Sequence, residues 1–347
     1  MGIFRRKAQP GPGVGQQQAI DEFWAWWTAE GAAATARGIA DRDPSSMVEP
    51  ISTRVKAIDQ GLAWELGPGR GAAHLLVVSP EGNPEVRAAA RRWLRSAPSA
   101  DATWEYADSR QRGSCDGSLE IGPHRIGFSE VVIGARREGT HLDVTVHHPS
   151  FHDLPEDVRQ QVTMLALDEA IGENDVETWL GHIGPSVEAP LDGFPLVHLA
   201  AVVDGLAAEH RDDEGEMTWA LLQGEGPAGR VIASAQVPLR ATTSPELDHH
   251  VAVSVSYADR TEEGLPGDGS LSALRALEDH VAERLGGSGR IVAHETGAGI
   301  RTMHFYVDST GPGASVVRAA VTGWDQGRCG VEDESDPAWN RVAHLRT

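Results

Sequence analysis

His74-Leu-Leu-Val-Val-Ser79, followed by Val86-Arg-Ala-Ala-Ala90 and Trp93, recurs as His304-Phe-Tyr-Val-Asp-Ser309, Val317-Arg-Ala-Ala-Val321 and Trp324, with one extra loop residue in the second copy. Each copy reads as an apolar strand, a Gly/Pro turn and an amphipathic helix. A repeat of this kind restricts the chain to an architecture built from duplicated α+β units. In both copies the tryptophan follows the valine by seven residues, close to two helical turns. The valine and tryptophan are therefore expected on one helix face, turned toward the sheet.

A chain of 347 residues suits about two domains. Residues 1–17 are polar and rich in Gly, Pro and Gln and read as a disordered tail, with no apolar stretch of a signal peptide behind the arginines. No apolar run approaches the ~18 residues that span a bilayer, so the expected location is the cytoplasm. The net charge of −21 argues against nucleic acid as a partner, because phosphate binding needs a basic face. Arg87, Arg91, Arg92 and Arg95 fall on one helix and read as its solvated face. Two cysteines, Cys115 and Cys329, are too few for a zinc site or a disulfide framework.

Ile20, Phe23, Trp24 and Trp27 repeat at helical spacing, which predicts an opening helix that runs to about Arg37 and docks on a sheet. A second helix is predicted over about 51–60. A hairpin (62–66 and 74–79), a helix capped by Asn83 with Pro84 at its first position, and a strand over 103–107 follow. A second hairpin spans 130–135 and 141–146. A helix opens at Asp153 and Pro155 and runs to about Ile171. A short strand over 177–183 and a helix over 194–209 complete the first half. The polar run His210-Arg-Asp-Asp-Glu-Gly-Glu216 places a domain boundary there, giving domains 18–210 and 211–347. In the second half strands are predicted over 218–223, 231–237, 251–257, 290–294 and 302–307, with a helix capped by Ser270 and the second repeat helix. This order is that of a ferredoxin-like two-layer α/β sandwich.

Glu263-Gly-Leu-Pro266, the helix after it, Gly299-Ile-Arg-Thr-Met-His-Phe-Tyr306 and Asp336-Pro-Ala-Trp339 resemble the bacterial domain of unknown function DUF695, best over 217–347. Leu167-Asp-Glu-Ala-Ile-Gly-Glu173 with Trp179-Leu-Gly181 is similar to a segment found in some relatives of that family. The resemblance implies no reaction. A remote likeness to the ribonuclease E regulator RraB implies protein binding at most.

Glu169 and Glu173 prolong the apolar stripe Leu154, Val158, Val162 and Leu165. Like charges at this spacing near a helix C-terminus call for compensation by an Arg, a His or a metal. His148, His152 and Asp153 cluster in a loop at ligand-type spacing, although Pro149 opposes a helix there and the Glu of a zinc-protease helix is missing. His294, Arg301 and His304 fall on facing strands, and the arginine suits a carboxylate or phosphate. No nucleophile elbow or phosphate loop is visible, and no cofactor is expected. The composite expectation is an α+β protein of two-layer sandwiches that binds another protein through an exposed sheet face or the Trp-rich helix. The alternative is a metal- or carboxylate-dependent hydrolase centred on Glu169 and the 147–153 loop.

Overall fold

The computed structural model describes residues 12–226 and 229–346. Most of the expected tail lies outside them, but residues 12–17 form the first turns of a helix. The chain divides into two units, one ending at Ser109 and the other beginning at Arg110. Among the described residues no helix is long and apolar enough to cross a membrane.

The first unit is built by tryptophan. Helix α1 (Pro12–Trp26) passes through a π turn at Trp27–Gly31 into α2 (Ala32–Ala40). At Gly31 a Cβ would press on the rings of Trp26 and Trp27, so only glycine lets the indoles close over the turn. After α3 (Ser45–Ile58) come β1 (Ala63–Pro68), β2 (His74–Ser79), α4 (Pro84–Arg95) and β3 (Trp104–Ala107). Strand β1 pairs antiparallel with β2, and β2 pairs parallel with β3 across α4. Asn83 caps α4 by accepting a bond from the Glu85 amide at 3.1 Å, and Pro84 opens the helix as predicted. Ile20, Phe23, Trp24, Trp27, Val86 and Trp93 share one core. The arginine face of α4 is only partly solvated: Arg95 is exposed, but Arg87 and Arg92 are buried, and Arg91 meets Asp108 at 2.9 Å.

The second unit holds two larger sheets. A small hairpin, β4 (Ser118–Ile121) and β5 (His124–Gly127), precedes β6 (Val132–Glu138) and β7 (His141–His147). Helices α5 (Glu156–Ile171) and α6 (Glu173–Trp179), strands β8 (Leu180–Ser186) and β9 (Phe194–Pro195), and α7 (Leu199–Glu209) complete this part. The sheet order is β8-β7-β6-β9, with Ile133, Val144 and Val146 packed on Ala166, Leu199 and Val203. The predicted strand over 177–183 begins only at Leu180, because residues 173–179 continue as helix.

The C-terminal sheet comprises β10 (Trp219–Gly226), β11 (Gly229–Gln236), β12 (His249–Ser256), β13 (Gly289–Gly297), β14 (Ile300–Val307) and β15 (Cys329–Ser335), with α8 (Asp268–Leu285) and α9 (Gly313–Ala320) between strands. The order is β10-β11-β13-β14-β12-β15, antiparallel throughout. Leu274, Leu277, Val281 and Val317 of the helices pack on Val251, Val253, Met303 and Phe305 on one face. The other face is crossed by a C-terminal strap, in which Trp339, Val342 and Leu345 cover Tyr306, Val292, Ala233 and Ala235. Ser270 does not cap α8. It sits buried inside the helix and its hydroxyl accepts from the Asp259 amide at 3.0 Å.

The boundary expected at residues 210–216 falls inside the second unit. Thr178 on α6 bonds the Thr242 hydroxyl at 2.6 Å, and Trp179 and His210 line a cleft with Pro238 and Thr242. In the repeats, Val86 and Val317 are both buried, as is Trp93. Trp324 lies beyond the end of α9 in extended backbone, half-buried, with its indole N–H on the Ser256 carbonyl at 2.8 Å. Strands β2 and β3 are neighbours, whereas β12 stands between β14 and β15.

Candidate functional site

Glu169 and Glu173 do not share a helix. Gly172, at φ 79°, ends α5, and α6 starts on the next residue. Glu173 thus opens a helix, where a carboxylate is favoured, instead of closing one. The compensation is the chain's own segment 110–115. The Arg110 amide donates to Glu173 at 3.0 Å and the Cys115 amide donates to Glu169 at 3.1 Å. Arg110 also reaches Asp168 at 3.3 Å. A Cβ on Gly113 would meet the Glu169 carboxylate, so a larger residue there would make that side chain shift. Burial, with Glu169 and Asp116 beside it, raises the Cys115 thiol to about 11, which keeps it protonated. These carboxylates fasten a loop.

His148 is buried, accepts from the Ser150 amide at 3.1 Å and lies 3.7 Å from Glu130. Burial lowers its pKa despite that carboxylate. His152 and Asp153 are exposed. This loop precedes α5, and Glu169 sits near the far end of the same helix, roughly 20 Å away at the rise of an α-helix. The two groups therefore do not meet. Among the described residues no three His, Cys, Asp or Glu side chains are placed to share a metal ion.

His294, Arg301 and His304 divide between the two faces of the C-terminal sheet. His294 pairs with Met303 and Thr296 with Arg301 in register, so His294 and Arg301 project toward the helices. There both meet Glu278 of α8, at 3.2 and 3.0 Å, and Arg301 also donates to Thr296 at 2.9 Å. Burial would raise the Glu278 carboxyl, but His294 and Arg301 hold it below its ordinary value. The carboxylate that Arg301 suits is thus supplied by the chain itself.

His304 projects to the other face, into a polar chain. His250 Nε2 lies 3.0 Å from His304 Nδ1, His304 Nε2 lies 3.1 Å from Glu295, and His344 of the strap lies 3.0 Å from the same Glu295 oxygen. His250, 4 % exposed, is packed between His304 and Tyr306. Burial, reinforced by His304, lowers its pKa to about 4. Bonds from His304 and His344 hold Glu295 below its ordinary value. Glu295 opens on a shallow groove of about 230 Å³, lined also by Gly226, Val231, Gly297, Ile300 and Thr302. The strap is further held by Asp336, which accepts from the Tyr306 hydroxyl, and by Trp339 stacked 4.4 Å from Tyr306.

The remaining unusual surface is β10. Trp219, Leu221 and Gln223 stand opposite Gln236, Ser234 and Ile232 of β11, and Ser234 and Ile232 stand opposite His294 and Thr296. This row therefore shares the face on which α8 packs. Trp219 stacks on His294 with ring centres 6.4 Å apart, but it stays 42 % exposed and Leu221 67 % exposed. An apolar pair standing outside a sheet that buries His and Arg is at odds with simple core formation. Alternation could have placed Trp219 and Leu221 together on one face. Nothing local shows that β10 is outermost or that α8 stops short of it.

Residues 231–343 match the model of the family of unknown function DUF695, in agreement with the resemblance carried by the C-terminal motifs. The match covers β11 through most of the strap and leaves out β10. No curated protein and no solved structure matches the chain.

Proposed function

We propose that the chain is a protein-binding module whose working surface is the outer strand β10, and that its C-terminal part is ferredoxin-like. The run β12, α8, β13, β14, α9, β15 with spatial order β13-β14-β12-β15 supports the fold reading, with β10 and β11 added beside β13. The order α3, β1, β2, α4, β3 parallels α8, β13, β14, α9, β15, which supports reading the repeats as a duplication with β12 interposed. The observation that carries the binding reading is the exposure of Trp219 and Leu221 side by side on the outermost strand. The His250–His304–Glu295 chain and the Glu169 loop are spent on internal bonds, whereas β10 exposes an aromatic and an aliphatic side chain on one face of an outer strand.

The test uses the immobilised full chain beside a Trp219→Ser/Leu221→Ser variant. Proteins retained from the source organism are identified, purified and titrated back. A partner is expected whose affinity falls about tenfold or more in the variant. Partners held equally by both chains would contradict the reading.

A further inference from the structure

The two edges of the C-terminal sheet are built differently. Strand β15 carries Glu332, Asp333 and Glu334 among seven residues, and charges of this density discourage a further strand. Strand β10, Trp219-Ala-Leu-Leu-Gln-Gly-Glu-Gly226, has no Pro, Lys or Arg, and its only charge is Glu225 near the hairpin end. Among the described residues it pairs with β11 alone. Its edge is therefore open to main-chain hydrogen bonding over eight residues, and the exposed Trp219 and Leu221 flank that edge on one face.

A mostly acidic loop adjoins the start of the same strand, its four carboxylates at 212, 213, 214 and 216 outnumbering the one guanidinium of Arg211, which donates to the Gly215 carbonyl at 2.6 Å. Asp212 folds residues 212–216 tightly by accepting from the Glu214 and Glu216 amides at 3.1 and 2.8 Å. Asp213, Glu214 and Glu216 are left exposed beside the Arg211–Met217 bridge that leads into β10. A second copy of this chain would bring another net charge of −21 to the contact, which self-repulsion disfavours. A helix laid on the face would use Trp219 and Leu221 but leave the open edge unexplained. An added strand uses both.

Resting on the binding reading above, we infer that β10 accepts an extended segment of a partner protein as a seventh, antiparallel strand, and that this segment alternates apolar with polar residues and ends in lysines or arginines. All pairs in the sheet are antiparallel, so continuing the pattern sets the partner's C-terminal end against Trp219 and the acidic loop. Main-chain bonds supply affinity, the apolar side chains pack on Trp219 and Leu221, and the basic end fixes direction. Because the DUF695 match begins after β10, this device belongs to the strand added beside the matched part.

The probes are three labelled peptides with the same alternating valine–threonine core, one ending in three lysines, one beginning with three lysines and one ending in three glutamates. Fluorescence anisotropy is measured against the full chain at low and high salt. The peptide with C-terminal lysines is expected to bind about tenfold more tightly than the other two, with the preference lost at high salt. Asp213→Lys/Glu214→Lys, which spares the Asp212 turn, should erase the preference, and Leu221→Lys or Gln223→Lys should abolish binding of every peptide. Equal binding of all three peptides, still abolished by Leu221→Lys, would overturn the basic partner and leave the docking surface standing. Binding indifferent to Leu221→Lys and Gln223→Lys would overturn the surface itself. No binding by any peptide would overturn strand addition, and the partner titration with Trp219→Ser/Leu221→Ser would then decide the binding reading separately.

Discussion

In the first unit Trp24, Trp27, Trp93 and Trp104 turn inward, Trp24 stacked on Trp93 and Trp27 edge-on to Trp104, and the indole N–H groups of Trp24, Trp27 and Trp104 donate to the Trp93 carbonyl, the Tyr106 hydroxyl and the Ala32 carbonyl. The C-terminal sheet does the reverse at one edge. Trp219 and Leu221 stand outside, while Arg301, His250 and His304 are buried. Both regions have the means to bury an aromatic ring: in the C-terminal sheet Trp339 is fully enclosed by the strap. The exposure at β10 therefore reflects where the sheet ends relative to α8. The buried Arg301, His250 and His304 of the same sheet are each paired, which offsets their lost hydration.

The largest effect that could break this contrast is a tryptophan deletion. Trp93 is 0 % exposed, and Trp93→Ala should cost about 3–5 kcal/mol by chemical denaturation, as for other enclosed aromatics. Trp219→Ala should cost less than ~1 kcal/mol, because an exposed side chain gives up little packing. Trp324→Ala should fall between them. Equal costs at 93 and 219 would dissolve the comparison.

Next in size is the pH response of the polar chain. The folded pKa of His250 is about 4 against 6.5 for the free side chain. Between those values the unfolded chain binds the additional proton, so stability is full above pH 6.5 and falls as pH drops toward 4. The loss from this residue is about 3 kcal/mol. Glu334 and Asp336 face His250 and favour its charged form, Arg341 and His304 oppose it, and burial decides the balance. Denaturation curves across that window should flatten in His250→Gln relative to the parent chain. An unchanged slope would show that His250 is hydrated in solution.

A smaller effect is expected at Glu169, the carboxylate at the centre of the alternative hydrolase reading. Glu169→Ala should cost about 1–3 kcal/mol, because the Cys115 amide loses its acceptor. Glu169→Gln should recover part of this, since its side-chain oxygen still accepts. Full loss in Glu169→Gln would mean that the charge matters beyond the bond.

Strands β12, β13 and β14 and helix α8 were legible because alternation and helical spacing are local properties and Gly286 and Gly299 punctuate them. The hairpin β4–β5 was not, since Leu119, Ile121 and Ile126 are too few to show a period. The stripe through Glu169 and Glu173 failed at Gly172, whose positive φ restarts the helix and moves Glu173 from a C-terminal to an N-terminal position. Trp324 left its expected face because α9 ends at Ala320, four residues earlier. His250 escaped notice although alternation with Val251 and Val253 sets it on the face of His304. Its role depends on the strap, about 90 residues later in the chain.

The central claim is that β10 is held open for a partner. It is tested most directly by hydrogen exchange on the full chain, alone and with the partner recovered on the wild-type surface. Amides of residues 219–226 should exchange quickly on the free edge and become protected in the complex, with little change along β15. Protection appearing elsewhere, with residues 219–226 exchanging as before, would contradict it.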